Sequence, residues 1–298
     1  MATTATYTHY YSFGGTDPRG LSTYTIGAND VSTTLEDNQD GSDNGVIAPG
    51  DAFSWTATGN TSLIGVTDAG YPVLFESGPN YYYILSNNGN LFATPLSISE
   101  TSYTMCFAAG TLITTGGGTP TVETLKIGDE ILDQNGRAVP IKWIGRQTLN
   151  KLFASERMRP VRIRTGALGD GLPHSDLTVT ADHGMILDGL VVNASALVNG
   201  STIDFVPLAE LPDSFTVFHI ETETHDVILA NGAPSETFID YRGRRAFDNF
   251  DEYLDLYGAE RIIPEMHRPR ISSARLLPQS ICDKLQISAP LLNLAKSA

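Results

Sequence analysis

The residue in this sequence best suited to chemistry is Cys106, in the run Met105-Cys106-Phe107-Ala108-Ala109-Gly110-Thr111. A thiol has an ordinary pKa of about 8.5, so a small thiolate fraction exists near neutrality without special help. Placed directly after the Met105–Cys106 peptide bond, its sulfur reaches the Met105 carbonyl with no diffusional step, which is the proximity advantage at its limit. Gly110-Thr111 lets the backbone turn tightly after a short strand. Taken alone, a cysteine beside Phe107 is more often a small buried apolar side chain. The reading of Cys106 as a nucleophile therefore depends on what lies downstream.

Cutting a peptide bond with an internal thiol needs a donor for the tetrahedral oxyanion, an acid for the departing amine and an amide held away from its relaxed geometry. Thr180-Ala181-Asp182-His183 supplies a hydroxyl and an imidazole three residues apart. A turn after Leu177-Thr178-Val179-Thr180 brings both side chains to one point. His183 is then placed to protonate the Cys106 nitrogen, and Thr180 to fix or polarise the scissile amide. His219 and His225 follow, six residues apart. If that segment is one straight strand, both share a face and either is able to relay protons to or from Cys106. Three histidines also suit zinc, but ligand pairs usually stand closer together, and the compact Cys/His clusters of structural sites are absent. Neither a metal nor a cofactor is expected.

The elements that must position these groups read as short strands. At 298 residues with 41% apolar and 18% charged residues, the chain has enough material for one large or two ordinary cores. The net charge of −15 argues against nucleic acid as a partner, since phosphate binding needs a basic stripe. The segment before Cys106 holds a single basic residue, Arg19. Cys106 and Cys282 are the two cysteines, so no disulfide framework organises the fold. No apolar signal-peptide core stands near the N-terminus, and no window approaches a membrane span. Any export is then expected by a route that needs no cleaved N-terminal signal.

Residues 1–105 read as β-rich: Asp51–Thr58 alternates apolar with polar, and Tyr71–Phe75 and Tyr81–Leu85 are aromatic or branched runs. Asp40-Gly41 and Asn88-Gly89 are turn dipeptides. Glu36–Asp43 has carboxylates enough for a calcium loop but lacks the ligand order of one, and reads as a hydrated loop. Beyond Cys106 the series continues with Thr111–Thr114, Thr121–Leu125, Glu130–Asp133, Val139–Ile144, Val161–Arg164, Leu177–Thr180, Met185–Leu187 and Leu190–Val192. Arg157, Arg159, Arg162 and Arg164 read as a solvated or ion-paired face. After Asp240 the character changes. Phe250–Tyr257 and Ser280–Leu285 have helical spacing, with prolines between them.

From Cys106 to about Asp240 the sequence resembles a hedgehog/intein (Hint) domain, in particular the bacterial hedgehog/intein-like autoprocessing subset. The stretches that carry the resemblance are Cys106–Thr111, Val122–Asp129, Val139–Gly145, Ala167–Gly169, Leu172-Pro173, Thr180–Gly184, Leu197–Gly200 and His219–Phe238, in order. It implies an all-β, horseshoe-like fold with Cys106 at its mouth and an N-to-S acyl shift at Met105-Cys106. In it, Cys106 matches the nucleophile, Thr180 and His183 the Thr-x-x-His pair, and His219 and His225 the histidines of the last strand motif. Splicing members end in His-Asn, whereas the corresponding stretch here is Gly232-Ala-Pro-Ser-Glu236-Thr-Phe238. Cleavage on the N-terminal side without full splicing is therefore expected.

The expected organisation is a β-rich passenger over residues 1–105, a Hint domain over 106–240, and a helical or partly ordered tail over 241–298. The substrate is the chain's own N-terminal segment, and water or a small nucleophile is the acceptor. The rival expectation is a non-catalytic surface or adhesive protein that keeps the Hint scaffold and binds through residues 1–105, with Tyr81, Tyr82 and Tyr83 as its contact face. A zinc hydrolase acting on an external substrate is a third.

Overall fold

The computed structural model describes residues 4–14, 27–36, 52–55, 61–67, 72–76, 81–86, 98–99, 105–151, 159–239, 244 and 247–287. Most of Glu36–Asp43, both turn dipeptides of the N-terminal segment, and Arg157 lie outside them. Among the described residues the fold is all-β with two short α-helices, and no helix is long and apolar enough to cross a membrane.

The N-terminal strands are β1 (Thr4–Gly14), β2 (Gly27–Glu36), β3 (Ala52–Trp55), β4 (Thr61–Thr67), β5 (Pro72–Glu76), β6 (Tyr81–Ser86) and β7 (Ile98–Ser99). They form one antiparallel sheet in the order β3-β2-β1-β6-β5-β4-β7, and β3 also pairs with β4. β6 runs from an exposed Tyr81 to buried Tyr83, Ile84 and Leu85, so both faces of the sheet are covered at that end. Tyr83 donates its hydroxyl to Glu76 at 3.0 Å, and burial and this carboxylate push its pKa up.

The strands that follow are β8 (Phe107–Ala108), β9 (Glu130–Leu132), β10 (Ala138–Pro140), β11 (Trp143–Asn150), β12 (Val161–Ile163), β13 (Leu177–Val179) and β14 (Gly184–Leu187). After them come β15 (Leu190–Asn193), β16 (Ile203–Phe205), β17 (Ser214–Glu221), β18 (Val227–Ala230), β19 (Ala233–Glu236) and β20 (Arg270–Ile271). A six-stranded sheet has the order β11-β17-β8-β13-β12-β16, a five-stranded one β18-β19-β14-β15-β20, and β9 and β10 pair as a hairpin. Two hairpins close through dipeptides with positive φ at both positions, Asp188-Gly189 (47° and 82°) and Asn231-Gly232 (47° and 81°). That is the backbone a two-residue turn needs to follow the strand twist.

Three expectations fail here. Thr111–Thr114 is not a strand, since Leu112 and Ile113 make only isolated bridges, to Thr121 and Ala230. Thr121–Leu125 is a 3₁₀ turn over Val122–Thr124 instead of a strand; Thr124 donates back to the Thr121 carbonyl through both its N–H and its hydroxyl. Val139–Ile144 is not one strand either, because the chain leaves β10 at Pro140 and enters β11 at Trp143, with the Ile141 N–H turned to Asp129.

β17 divides two cores. Phe218 and Ile220 face the first, built with Phe107, Val179, Ile131 and Ile228, while Val217 faces a second that holds Met105, Cys106, Trp143 and Phe247. The second core also takes in Tyr7, Leu35, Leu74 and Leu85 of the N-terminal sheet, so the Met105–Cys106 junction lies where the two parts meet. The C-terminal segment closes both. Tyr253 of α1 (Phe250–Tyr257) stands edge-on to Trp143 at 5.3 Å, and Ile281, Cys282 and Leu285 of α2 (Gln279–Leu285) are buried in the first core. α1 stops at Gly258, whose φ of 71° lets its N–H return to Leu254. The two helical stretches read from the sequence thus form at the expected places.

Candidate active site

Strand β8 is only two residues long, but it sits between β17 and β13, with Phe107 opposite both Phe218 and Val179. The residue before it, Cys106, is thereby set beside the end of β13, where Thr180 follows Val179. Thr180 holds the Cys106 peptide from both sides. The Cys106 N–H donates to the Thr180 hydroxyl at 2.7 Å, and the Thr180 N–H donates to the Cys106 carbonyl at 2.9 Å. The hydrogen bonded to Thr180 is that of the Met105–Cys106 amide, so the hydroxyl fixes the nitrogen that would depart if that bond were cut.

A turn follows in which the His183 N–H returns to the Thr180 carbonyl at 3.1 Å, the turn foreseen between hydroxyl and imidazole. It lays the His183 ring against Phe107, centroids 4.3 Å apart. His183 is fully buried, and neither ring nitrogen makes a well-formed hydrogen bond among the described residues, although the Met105 backbone lies near enough to favour its charged form. Burial pushes its pKa down to about 4, against the opposing influence of the Glu236 charge and the Met105 backbone. The Met105 backbone acts against burial, as a carbonyl that stabilises the imidazolium does. The imidazole is neutral near neutrality.

His219, on β17 opposite Gly145, presents a second buried ring 5.6 Å from His183, also with both nitrogens unpartnered among the described residues. Burial first, and the neighbouring His183 second, hold its pKa well below the ordinary value. Its ring packs between Phe238 and Phe247. Phe247 needs the glycine at 145: a Cβ there would stand 2.6 Å from the ring.

His225 is placed differently from the expectation of one straight strand. β17 ends at Glu221, and Thr222–Asp226 is a turn in which the Thr222 hydroxyl bonds to the Thr224 carbonyl and the Asp226 carboxylate. His225 therefore leaves the face that His219 occupies. Its Nδ1 accepts the Met266 N–H at 3.1 Å, which leaves Nε2 as the donor to Glu236 at 3.2 Å. Cys106, Thr180, His183 and His219 are brought together; His225 stands behind them, in contact with a carboxylate that bonds the residue after His183.

That carboxylate was not singled out from the sequence. Glu236 is fully buried, accepts the Gly184 N–H at 2.6 Å, and is also bonded by Arg270. Despite burial, its bonds to His225 and Arg270 hold its pKa down at about 2. Its signal lay in the Gly232–Phe238 stretch, noticed only for the His-Asn pair it lacks. Among the described residues no group of three or more His, Cys, Asp or Glu is placed to hold a metal ion.

The Hint domain family matches residues 105–242. This segment is a Hint domain. Among solved structures, the MchDnaB-1 intein is similar at 18% identity, over 43% of this chain and 98% of that one, with a TM-score of 0.32. The gp41-1 intein is similar at 14% identity over 45% and 98%, with a TM-score of 0.33. A bacterial intein-like domain from Clostridium thermocellum gives 14% over 46% and 100%, and the same TM-score. None of the curated proteins compared with the chain matches it. The Hint domain begins at the residue whose carbonyl is the proposed point of attack, and α1 and α2 lie beyond its end.

Proposed function

We propose that the protein processes itself once, at the bond between Met105 and Cys106. The Cys106 sulfur, its proton passed to neutral His183, attacks the Met105 carbonyl carbon and forms a C–S bond. The tetrahedral intermediate collapses with breakage of the C–N bond, and the proton held by His183 goes to the Cys106 nitrogen. The product is a thioester between residues 1–105 and the Cys106 side chain. Water or another small nucleophile then attacks the thioester, releases the passenger as an acid or adduct, and returns the thiol. The chemistry needs no redox step and no cofactor. His219 lends a second uncharged ring to the buried centre, and His225 supports that centre from behind.

The observation that carries this reading is the 2.7 Å hydrogen bond from the Cys106 N–H to the Thr180 hydroxyl, beside a buried imidazole that makes no well-formed hydrogen bond among the described residues. Leaving two imidazole nitrogens unsatisfied costs folding free energy, on the order of 1–3 kcal/mol for each group. A purely structural role gives little return for that cost, whereas a proton-transfer role calls for ring nitrogens that are not locked into strong hydrogen bonds. The Gly232–Phe238 stretch has no Asn to cyclise, which supports cleavage on the N-terminal side alone. The test is to incubate purified full-length protein and sequence the N-terminus of any fragment. A fragment beginning at Cys106, absent from Cys106→Ala, is expected; fragments beginning elsewhere or none at all would overturn the reading.

A further inference from the structure

The turn that carries His183 is held by a residue from outside the Hint segment. Arg270 lies on β20, which pairs in parallel with β15 through Val191 and Arg270. One arm of its guanidinium donates to Glu236, which in turn accepts the Gly184 N–H. The other arm donates to the Asn193 side-chain oxygen at 3.0 Å, and the Asn193 amide donates to Asp182 at 3.2 Å. One planar cation thus ties down the residue before His183 and the residue after it. The His183 ring makes no well-formed hydrogen bond among the described residues, so its direction rests on this backbone, on contact with Phe107 and on the neighbouring Met105 backbone.

We infer that Arg270 is a positioning residue for the self-cleavage proposed above: by bridging Glu236 and Asn193 it fixes the Asp182–Gly184 turn and aims His183 at the Met105–Cys106 bond. The inference rests on that reading and extends the working unit beyond residue 242, into the C-terminal segment. A guanidinium is suited to the task because its fork serves two acceptors in fixed directions, which an ammonium does not. Misplacing a catalytic ring by about 1 Å costs on the order of 10²-fold in rate.

The charged and titratable groups that face His183 are Glu236 from β19, Arg270 from β20, His225 from the turn after β17 and His219 from β17 itself. Arg270 disfavours protonation of the ring and Glu236 favours it. Removing the guanidinium therefore does two separable things: it loosens the turn, and it raises the pH at which His183 takes a proton.

The experiment compares full-length unmodified protein, Arg270→Gln and Arg270→Lys, each shown to be folded by a cooperative thermal transition, in cleavage rate from about pH 4 to pH 8. Arg270→Gln is expected to cleave at least about tenfold more slowly, with its acid limb moved to higher pH. Arg270→Lys keeps the charge but not the fork, and is expected to be slowed with the acid limb unmoved. Should Arg270→Gln fail to fold, Arg270→Lys carries the test. Unmodified rate and acid limb in the folded variants would overturn the inference while leaving the cleavage reading intact. Imidazole NMR titration of His183 in the Cys106→Ala background separates the two further. There Arg270→Gln is expected to raise the ring's pKa even if no variant cleaves, and an unmoved titration overturns the inference.

Discussion

At the scale of single residues, the account depends on what burial does to His183. An imidazole with a pKa of about 4 is free base throughout the neutral range, so cleavage is expected to be flat near pH 7 and to fall as pH drops through that value. The same shift bears on stability. The unfolded chain binds the proton near pH 6.5, whereas the folded chain refuses it down to about 4. Between those values the unfolded state holds more protons, and stability falls with falling pH by roughly a few kcal/mol. Denaturant titrations at pH 7 and pH 5 check this, and His183→Gln is expected to flatten the dependence. Thr180 makes a separate case. Thr180→Val keeps the shape but leaves the buried Cys106 N–H without its acceptor, which is expected to cost about 1–3 kcal/mol of stability and to slow cleavage. A rate equal to that of the unmodified protein would remove Thr180 from the mechanism.

At the scale of elements, the informative position is Gly184, where β14 begins. A Cβ there would meet Glu236 Oε1 at 2.4 Å and Val191 at 2.5 Å, so Gly184→Ala drives the carboxylate away from the very N–H it accepts. The expected result is a loss of about 1–3 kcal/mol together with slower cleavage; a neutral effect on both would mean that the Glu236 contact does not hold the turn. This is also the scale at which the sequence was most and least legible. Thr180 and His183 could be placed because a strand followed by a turn is a local pattern. Phe250–Tyr257 could be placed because 3.6-residue spacing is local too. His225 was misjudged because Thr222 and Asp226 fold the chain back through side-chain bonds that interrupt the strand period. Glu236 and Arg270 were invisible for a different reason: each matters through partners 34 to 77 residues away, and no spacing rule links them.

At the scale of the whole molecule, the C-terminal segment locks onto the Hint domain through a buried ion pair. Arg244 Nε donates to Glu221 at 2.6 Å, both side chains are fully buried, and the guanidinium lies over the rings of Phe238 and Tyr253. Arg244→Ala strips a buried carboxylate of this cation and is expected to cost about 3–5 kcal/mol, read as a lower denaturation midpoint. The larger arrangement separates the two halves of the reaction. Met105 and Cys106 are buried in a core shared with the N-terminal sheet, so the proposed acyl shift would take place out of solvent, whereas its resolution would need a nucleophile to enter. Processing is therefore expected to accelerate with added hydroxylamine, a small nucleophile that competes with water for the thioester.

The most direct measurement of the central claim is the intact mass of the full-length protein and of Cys106→Ala after treatment with hydroxylamine. The account requires residues 1–105 to leave as the hydroxamate, with residues 106–298 as the other product, and the alanine variant to stay whole. An uncut chain in both samples, or cleavage that does not depend on the Cys106 sulfur, would contradict it.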